Sequence, residues 1–144
     1  MRLRYIFILM AILFSTITSA APAPKVLITV SLSKSLMVIH RKAKNGLVEL
    51  KAPIVPIAPG TVRPGVFKVL RMTERYKSRN GNVFLENVIR VEGEFNIRTT
   101  TMFEHWVNTA PASRAIVLRA EDGSLLFTTV RKYGLNRTQI RIVP

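Results

Sequence analysis

The sequence contains no cysteine among its 144 residues. Disulfide bonds are therefore excluded, and so is every mechanism that needs a thiolate as nucleophile or metal ligand. Histidine is nearly as scarce, with only His40 and His105. Two histidines far apart in the sequence, without Asp or Glu at ligand spacing, do not make a metal site. We therefore expect no metal ion, and we expect no cofactor.

Long hydrophobic runs are confined to the N-terminus, at residues 5–14. Arg2 and Arg4 precede this run, and small residues follow it, with a cleavage position after Ala20. These three parts are typical of a secretory signal peptide, and the run is short for a bilayer span. An uncleaved N-terminal anchor is the alternative. The sequence predicts export to the periplasm or another extracytoplasmic compartment, with no membrane span after cleavage.

The expected segments are a signal peptide at residues 1–20, a short extended spacer at 21–24 and a single domain at 25–144. Cleavage after Ala20 leaves 144 − 20 = 124 residues. A chain of this length suits one hydrophobic core that buries about two-thirds of its extended-chain surface.

Acidic residues are also few, with eight Asp and Glu against 22 Lys and Arg, so that the net charge is +14. Such a charge attracts anionic polymers nonspecifically and in a salt-dependent way. Because export is predicted, we expect the polymer to be peptidoglycan or another anionic envelope polymer, such as teichoic acid or lipopolysaccharide, and not nucleic acid. A generally basic proteome is the alternative explanation, since net charge does not report on fold.

Short apolar and β-branched stretches separated by turn residues predict a mainly β domain. Asn45-Gly46 favours a hairpin, and the prolines between residues 53 and 64 favour an edge strand or an extended loop. Residues 73–82 are polar and predict an exposed loop. The predicted strands are residues 25–32, 36–40, 47–51, 66–72, 83–91, 94–101 and 138–143.

Only one stretch predicts a helix, near the C-terminus. Glu121 and Asp122 lie where acids complement the positive end of a helix dipole. Leu125, Leu126, Thr129 and Val130 follow at helical spacing, and Gly134 predicts the end of the helix.

The order of these elements resembles the catalytic domain of the L,D-transpeptidase (YkuD-like) family. Residues 30–39 (VSLSKSLMVI) are similar to the opening of that domain, and residues 53–69 (PIVPIAPGTVRPGVFKV) to its next block. Residues 111–123 (PASRAIVLRAEDG) resemble the active-site signature, Ser-(His/Arg)-Gly-Cys-(Ile/Val)-Arg-Leu, and residues 129–143 resemble the ending. The resemblance implies a β-sandwich-like fold of this family with one helix in the C-terminal region.

The centre of the signature is missing. Ser113 and Arg114 fit its first half, but a single Ala115 stands where the family has Gly-Cys, and Val117 stands where the family has Arg. The resemblance implies acyl transfer through a cysteine thiolate with a histidine base and backbone N–H groups for the oxyanion. Ala115 offers only a methyl group, so no catalytic set is intact.

The positions that correspond to the family's catalytic region are His105, Ser113, Arg114 and Ala115, here called the remnant site. Two questions about this site stay open in the sequence. The family's upstream histidine corresponds either to His105 or, in another register, to Arg98. A displaced mechanism in which Ser113 attacks and His105 acts as base is the alternative to inactivity, although Ser113 precedes the nucleophile position and its side chain should point elsewhere on the strand.

Aromatic and basic residues surround the signature. Arg98, Trp106, Arg114 and Arg119 are candidate binding residues, because arginine binds carboxylates through two donors and tryptophan packs against sugar rings or peptide stems. The alternative for Trp106 is a place in the core, with Phe103, which is the commoner fate of large apolar side chains.

The function that the sequence predicts is an exported L,D-transpeptidase-like cell-wall protein, catalytically inactive, that binds peptidoglycan or an envelope partner. The first alternative is an active transferase of this family with displaced catalytic groups. The second alternative is a basic module that binds envelope polymers without a specific cleft.

Overall fold

The computed structural model describes residues 23–74, 76–77, 84–85, 87–109 and 114–144. The predicted signal peptide, the first two residues of the predicted spacer and Ser113 lie outside these ranges. Within the described part of the chain, no helix is both long and apolar enough to cross a membrane.

Alternation of apolar and polar residues sets the strands, because successive side chains on a strand point to opposite faces. The elements in chain order are β1 (Val26–Ser31), β2 (Leu36–Ala43), β3 (Gly46–Pro53), β4 (Gly65–Thr73), β5 (Tyr76–Lys77), β6 (Phe84–Leu85), β7 (Val88–Val91), β8 (Phe95–Thr100), α1 (Phe103–Thr109), β9 (Ala115–Arg119), α2 (Ala120–Tyr133), a 3₁₀ turn (Leu135–Arg137) and β10 (Thr138–Val143). The mainly β class that the sequence predicts is confirmed.

Eight of these strands form one sheet in the order β3-β2-β1-β10-β4-β7-β8-β9, and β5 pairs with β6 separately. The pairs β1–β10 and β8–β9 are parallel, and the other neighbours are antiparallel. The C-terminal strand therefore lies in the middle of the sheet, and β9 lies at one edge.

The sheet curls because β4 belongs to both of its halves. The first half of β4 pairs with β10 and the second with β7, with a register shift between Val69 and Arg71. The two edges consequently approach each other. Ile54, just after β3, bridges to Leu118 of β9, and the Val55 N–H donates to the Val117 carbonyl at 3.0 Å.

The concave face holds the main core, which α2 covers. Leu126, Phe127 and Val130 of α2 are buried against the inner side chains of the strands. Gly123 brings the helix close to β8, since a Cβ at this position would lie 1.7 Å from Thr99 Cγ2. The predicted end of the helix is confirmed, because Gly134 has φ of +96° and its N–H donates to the Val130 carbonyl at 2.8 Å.

The helix α1 is not predicted by the sequence. It has seven residues, Phe103–Thr109, too few to show a helical period or to be stable alone. Phe103, Trp106 and Val107 pack from α1 onto the sheet, so tertiary packing determines this helix.

Three local predictions need correction. The β2–β3 hairpin forms as expected, but its turn residues are Lys44 and Asn45, since Ala43 pairs with Gly46. The loop predicted throughout 73–82 is wrong at β5, which pairs with β6. The single strand predicted at 83–91 is interrupted before β7 by Asn87, whose φ is +53°; asparagine tolerates this left-handed conformation better than most residues.

His40 is partly exposed on β2. It lies opposite Glu49 in the β2–β3 ladder, and its Nε2 donates to Glu49 Oε2 at 3.1 Å. This hydrogen bond, together with Lys51, lowers the pKa of Glu49 below its ordinary value.

Candidate functional site

The parallel pair β8–β9 positions the remnant of the signature. Asn96 pairs with Ala115, and Arg98 pairs with Val117. Because directly paired residues point to the same side of a sheet, these four side chains share one face. The intervening residues, Ile97 and Ile116, point into the main core. The helix α1 packs on the face that carries Ala115.

Ala115 is 6% exposed and lies in a small apolar cluster. The Ala115 cluster consists of Val55, Phe103, Ala115 and Val117, with Trp106 and Val107 packed against it. The position that the sequence matches to the family's nucleophile is therefore surrounded by hydrocarbon side chains. A methyl group in such surroundings can pack but cannot attack a carbonyl or transfer a proton.

Arg98 lies beside this cluster and contacts Trp106. Its Cζ is 5.7 Å from the centroid of the Trp106 ring, a cation–π distance. Burial lowers the pKa of the Arg98 guanidinium, which nevertheless stays protonated at neutral pH. Trp106 is half-buried and thus belongs partly to the core and partly to the surface that Arg98 shares.

His105 and Arg119 lie at the other end of β9. Arg119 Nη2 donates to Glu104 Oε1 at 2.8 Å, and its Cζ is 4.9 Å from the Phe103 ring centroid, so it joins α1 to the sheet. His105 is exposed on α1 and lines an open depression with Arg119 and Glu121. Of the two residues considered for the family's histidine, Arg98 is the one on the strand next to β9.

The start of α2 borders the same depression. Burial raises the pKa of the Asp122 carboxyl, the negative charge of Glu121 raises it further, and Arg119 opposes both. Glu121 and Asp122 both lie in the first turn of α2, as the sequence predicts.

Arg114 is separated from these residues by the length of β9. It directly precedes the strand, and its Nη1 donates to Glu94 Oε2 at 2.7 Å. Ser113 lies outside the described residues, so its proposed pairing with His105 stays a prediction. Of the candidates, the structure brings Arg98, Trp106 and Ala115 together, whereas Arg114 and Arg119 lie at opposite ends of β9.

Arg114 instead lines a pocket that sequence reasoning missed. This pocket has a volume of about 380 Å³. The Arg63–Arg114 pocket is lined by Gly60, Thr61, Arg63, Phe67, Gly93, Glu94, Phe95 and Arg114. The Pro-Gly turns at residues 59–60 and 64–65 mark the loop that carries Arg63, but no local signal brings that loop to Arg114.

Several solved structures are similar to this chain. An L,D-transpeptidase from Stackebrandtia nassauensis has a TM-score of 0.64 at 13% identity, over 90% of this chain and 62% of that one. L,D-transpeptidase 3 from Mycobacterium tuberculosis has a TM-score of 0.62 at 11% identity, over 84% and 62% of the two chains. The chain has the fold of the L,D-transpeptidases.

The chain spans 62% of the length of each of these two proteins, which is less than two-thirds. A fused Zn-dependent amidase/peptidase/peptidoglycan-binding domain-containing protein from Clostridium acetobutylicum is also similar, with a TM-score of 0.59 at 14% identity, over 86% of this chain and 54% of that one. No family model and no curated protein matches the chain.

Proposed function

We propose that the protein is an exported, L,D-transpeptidase-like protein of the cell wall that binds peptidoglycan or another anionic envelope polymer without acyl transfer. The proposal combines the fold with the predicted N-terminal signal peptide and with the absence of cysteine from the sequence. In this proposal the protein binds the polymer but lacks the reactive centre that acyl transfer requires.

The observation that carries the proposal is the burial of Ala115 within the Ala115 cluster. Thiol-based acyl transfer needs an accessible thiolate beside a base, with donors placed for the oxyanion. At Ala115 the side chain has no sulfur, and Val55, Phe103 and Val117 occupy its surroundings. Both the chemistry and the access that catalysis needs are therefore lost at the same position.

Binding is supported by the positive charge around the remnant site. Arg98, Arg114 and Arg119 all lie on or beside β8 and β9, and Arg98 faces the ring of Trp106. Guanidinium groups bind carboxylates through two parallel hydrogen bonds, and peptidoglycan stems carry carboxylates. The net charge, +14 for the whole sequence and 20 − 8 = +12 without the predicted signal peptide, adds a long-range attraction to anionic polymers.

The test is incubation of the purified protein with peptidoglycan sacculi, followed by two measurements. Co-sedimentation measures binding, and chromatography of the released muropeptides measures cross-linking or trimming. We expect binding without any product above that of a heat-inactivated control. Failure to sediment contradicts the binding role, and a product above the control contradicts the loss of activity.

If a product does form, the alternative of displaced catalytic groups is tested directly. Ser113→Ala and His105→Ala, made separately, should each abolish the activity if these two residues act as nucleophile and base. Activity that survives both changes excludes that pair.

A further inference from the structure

Two arginines lie side by side on the face of the sheet that carries Ala115. Arg71 of β4 pairs directly with Arg90 of β7, Arg90 pairs with Asn96 of β8, and Asn96 pairs with Ala115 of β9. Directly paired residues point to the same side of a sheet. The Arg71–Arg90 pair therefore lies on the side away from the main core, two strands from Ala115.

The register shift in β4 creates this pair. Val69 lies opposite Val91, but Arg71 lies opposite Arg90, so Leu70 has no partner in β7. In an unshifted ladder Leu70 would lie opposite Arg90, and Arg71 would point into the core. Bulges of this kind re-aim side chains and are over-represented beside active sites. The shift thus keeps Arg71 outside the core and places it beside a second positive charge.

This arrangement is unfavourable while no anion is bound. Arg71 and Arg90 are both exposed, and among the described residues no carboxylate forms an ion pair with either of them. Like charges directly opposite each other on neighbouring strands destabilise a sheet. A ligand with two negative charges would remove this repulsion.

The two acids that follow these arginines in the sequence are engaged elsewhere. Glu74, at the end of β4, forms an ion pair with Arg131 of α2. Glu92, directly after β7, accepts a backbone N–H of β4 through its Oε2 at 2.9 Å. The positive charges of the Arg71–Arg90 pair are therefore left for a ligand.

Arg98 adds a third guanidinium group on the same face. It lies two residues beyond Asn96 on β8 and is thus a diagonal neighbour of Arg90. Long side chains can meet across such a diagonal of about 7–8 Å. Because Arg98 also contacts the ring of Trp106, its charge is held beside the pair by α1.

We infer that the Arg71–Arg90 pair binds a phosphomonoester group, as found on a phosphorylated sugar. Such a group carries about 1.5 to 2 negative charges at pH 7 and three acceptor oxygens. Guanidinium forks bind phosphate oxygens through two parallel hydrogen bonds, and two facing forks match a dianion. The inference rests on the proposed function for the polymer that carries the phosphate, and it deepens that function by naming the group recognised.

The test uses glucose 6-phosphate as the probe, titrated into the purified protein at constant ionic strength and followed by calorimetry or NMR. Its methyl phosphodiester has one negative charge and represents phosphodiester polymers such as teichoic acid. Succinate has two charges on separate carboxylates. We expect the monoester to bind, and the diester and succinate to bind at least about tenfold more weakly, since loss of one charge-assisted contact has that effect.

Variants locate the site. Arg71→Gln and Arg90→Gln should each weaken binding of the monoester about tenfold. Arg141→Gln removes the same charge from an exposed position on β10, opposite Val66 and outside the β4–β7 ladder, and it should leave binding unchanged. Circular dichroism confirms that each variant is folded.

A stability measurement separates a ligand site from a structural role. In buffer without phosphate, Arg71→Gln should raise the urea midpoint of unfolding, because it removes the repulsion from Arg90. A structural contact of Arg71 would have the opposite effect, so that the variant would unfold at a lower urea concentration.

The inference is overturned if the monoester does not bind, if the diester or succinate binds as tightly, if Arg71→Gln binds the monoester like Arg141→Gln, or if Arg71→Gln lowers the urea midpoint. Because the titration uses no sacculi, its result is independent of the sedimentation result. Sacculi that bind the protein normally while glucose 6-phosphate does not bind would contradict only the phosphate site, whereas failure to sediment contradicts the proposed function.

Discussion

Ala115 stands where the sequence resemblance places the family's cysteine, and it is buried in the Ala115 cluster. We predict that Ala115→Cys does not restore acyl transfer, because the new sulfur would be buried among Val55, Phe103 and Val117. Burial in apolar surroundings raises a thiol pKa and blocks access to it. The measurement is the rate of modification by a thiol reagent in native buffer and in urea. The native rate should be lower by about a hundredfold, since reaction requires local opening.

The chain has no other cysteine, so the signal from this variant is unambiguous. Thr128→Cys, at an exposed position of α2, is the matched control and should react at similar rates in both conditions. If the Ala115→Cys variant reacted equally fast in native buffer and in urea, the position would be open. Muropeptide products from the variant would also contradict the prediction.

The packing of α2 on β8 depends on a glycine. Gly123 lies inside the helix, where replacement by alanine would ordinarily stabilise a helix by about 1 kcal/mol. Here the new Cβ would lie 1.7 Å from Thr99 Cγ2, so the helix or the strand must move. We expect Gly123→Ala to lower the free energy of unfolding by about 1–3 kcal/mol, the usual cost of overpacking. Urea denaturation followed by circular dichroism measures this change.

Two further variants isolate the cause. Thr99→Ser removes the clashing methyl group and keeps the hydroxyl, so it should recover part of the loss when combined with Gly123→Ala. Thr128→Ala, on the exposed side of the same helix, should not destabilise the protein. A stabilising effect of Gly123→Ala would show that α2 does not pack this closely against β8.

The molecule as a whole is strongly basic. Removal of the predicted signal peptide takes away Arg2 and Arg4 and leaves 20 basic and eight acidic residues, a net charge of +12. Salt screens such a charge, because the Debye length falls from about 10 Å at 0.1 M to about 3 Å at 1 M. We predict that sacculus binding weakens as NaCl rises, but that a residual component persists.

That residual component distinguishes a specific site from general attraction. It should be weaker in Arg114→Gln than in the wild type, and unaffected in Arg141→Gln. Binding that disappears completely with salt, and is the same in both variants, would favour the alternative of a basic polymer-binding module without a cleft. Sedimentation with sacculi over a salt series is the measurement.

Local patterns were sufficient to predict most of the sheet and α2. Alternation marks β10 at the predicted residues, and acids at one end with Gly134 at the other mark the helix. These signals work because side-chain periodicity and capping act over a few residues. The family resemblance likewise came from short blocks in a fixed order, and the fold agrees with it.

Local patterns could not predict the contacts between residues that are distant in the sequence. The helix α1 is too short to be recognised alone and forms where Phe103 and Trp106 can pack. The burial of Ala115 depends on Val55, which arrives from the opposite edge of the curled sheet. The Arg63–Arg114 pocket likewise joins the loop before β4 to the start of β9. The sequence by itself determines most of the strands and the absence of a thiol. The tertiary structure decides what surrounds Ala115, because the approach of the two sheet edges is a property of the whole sheet.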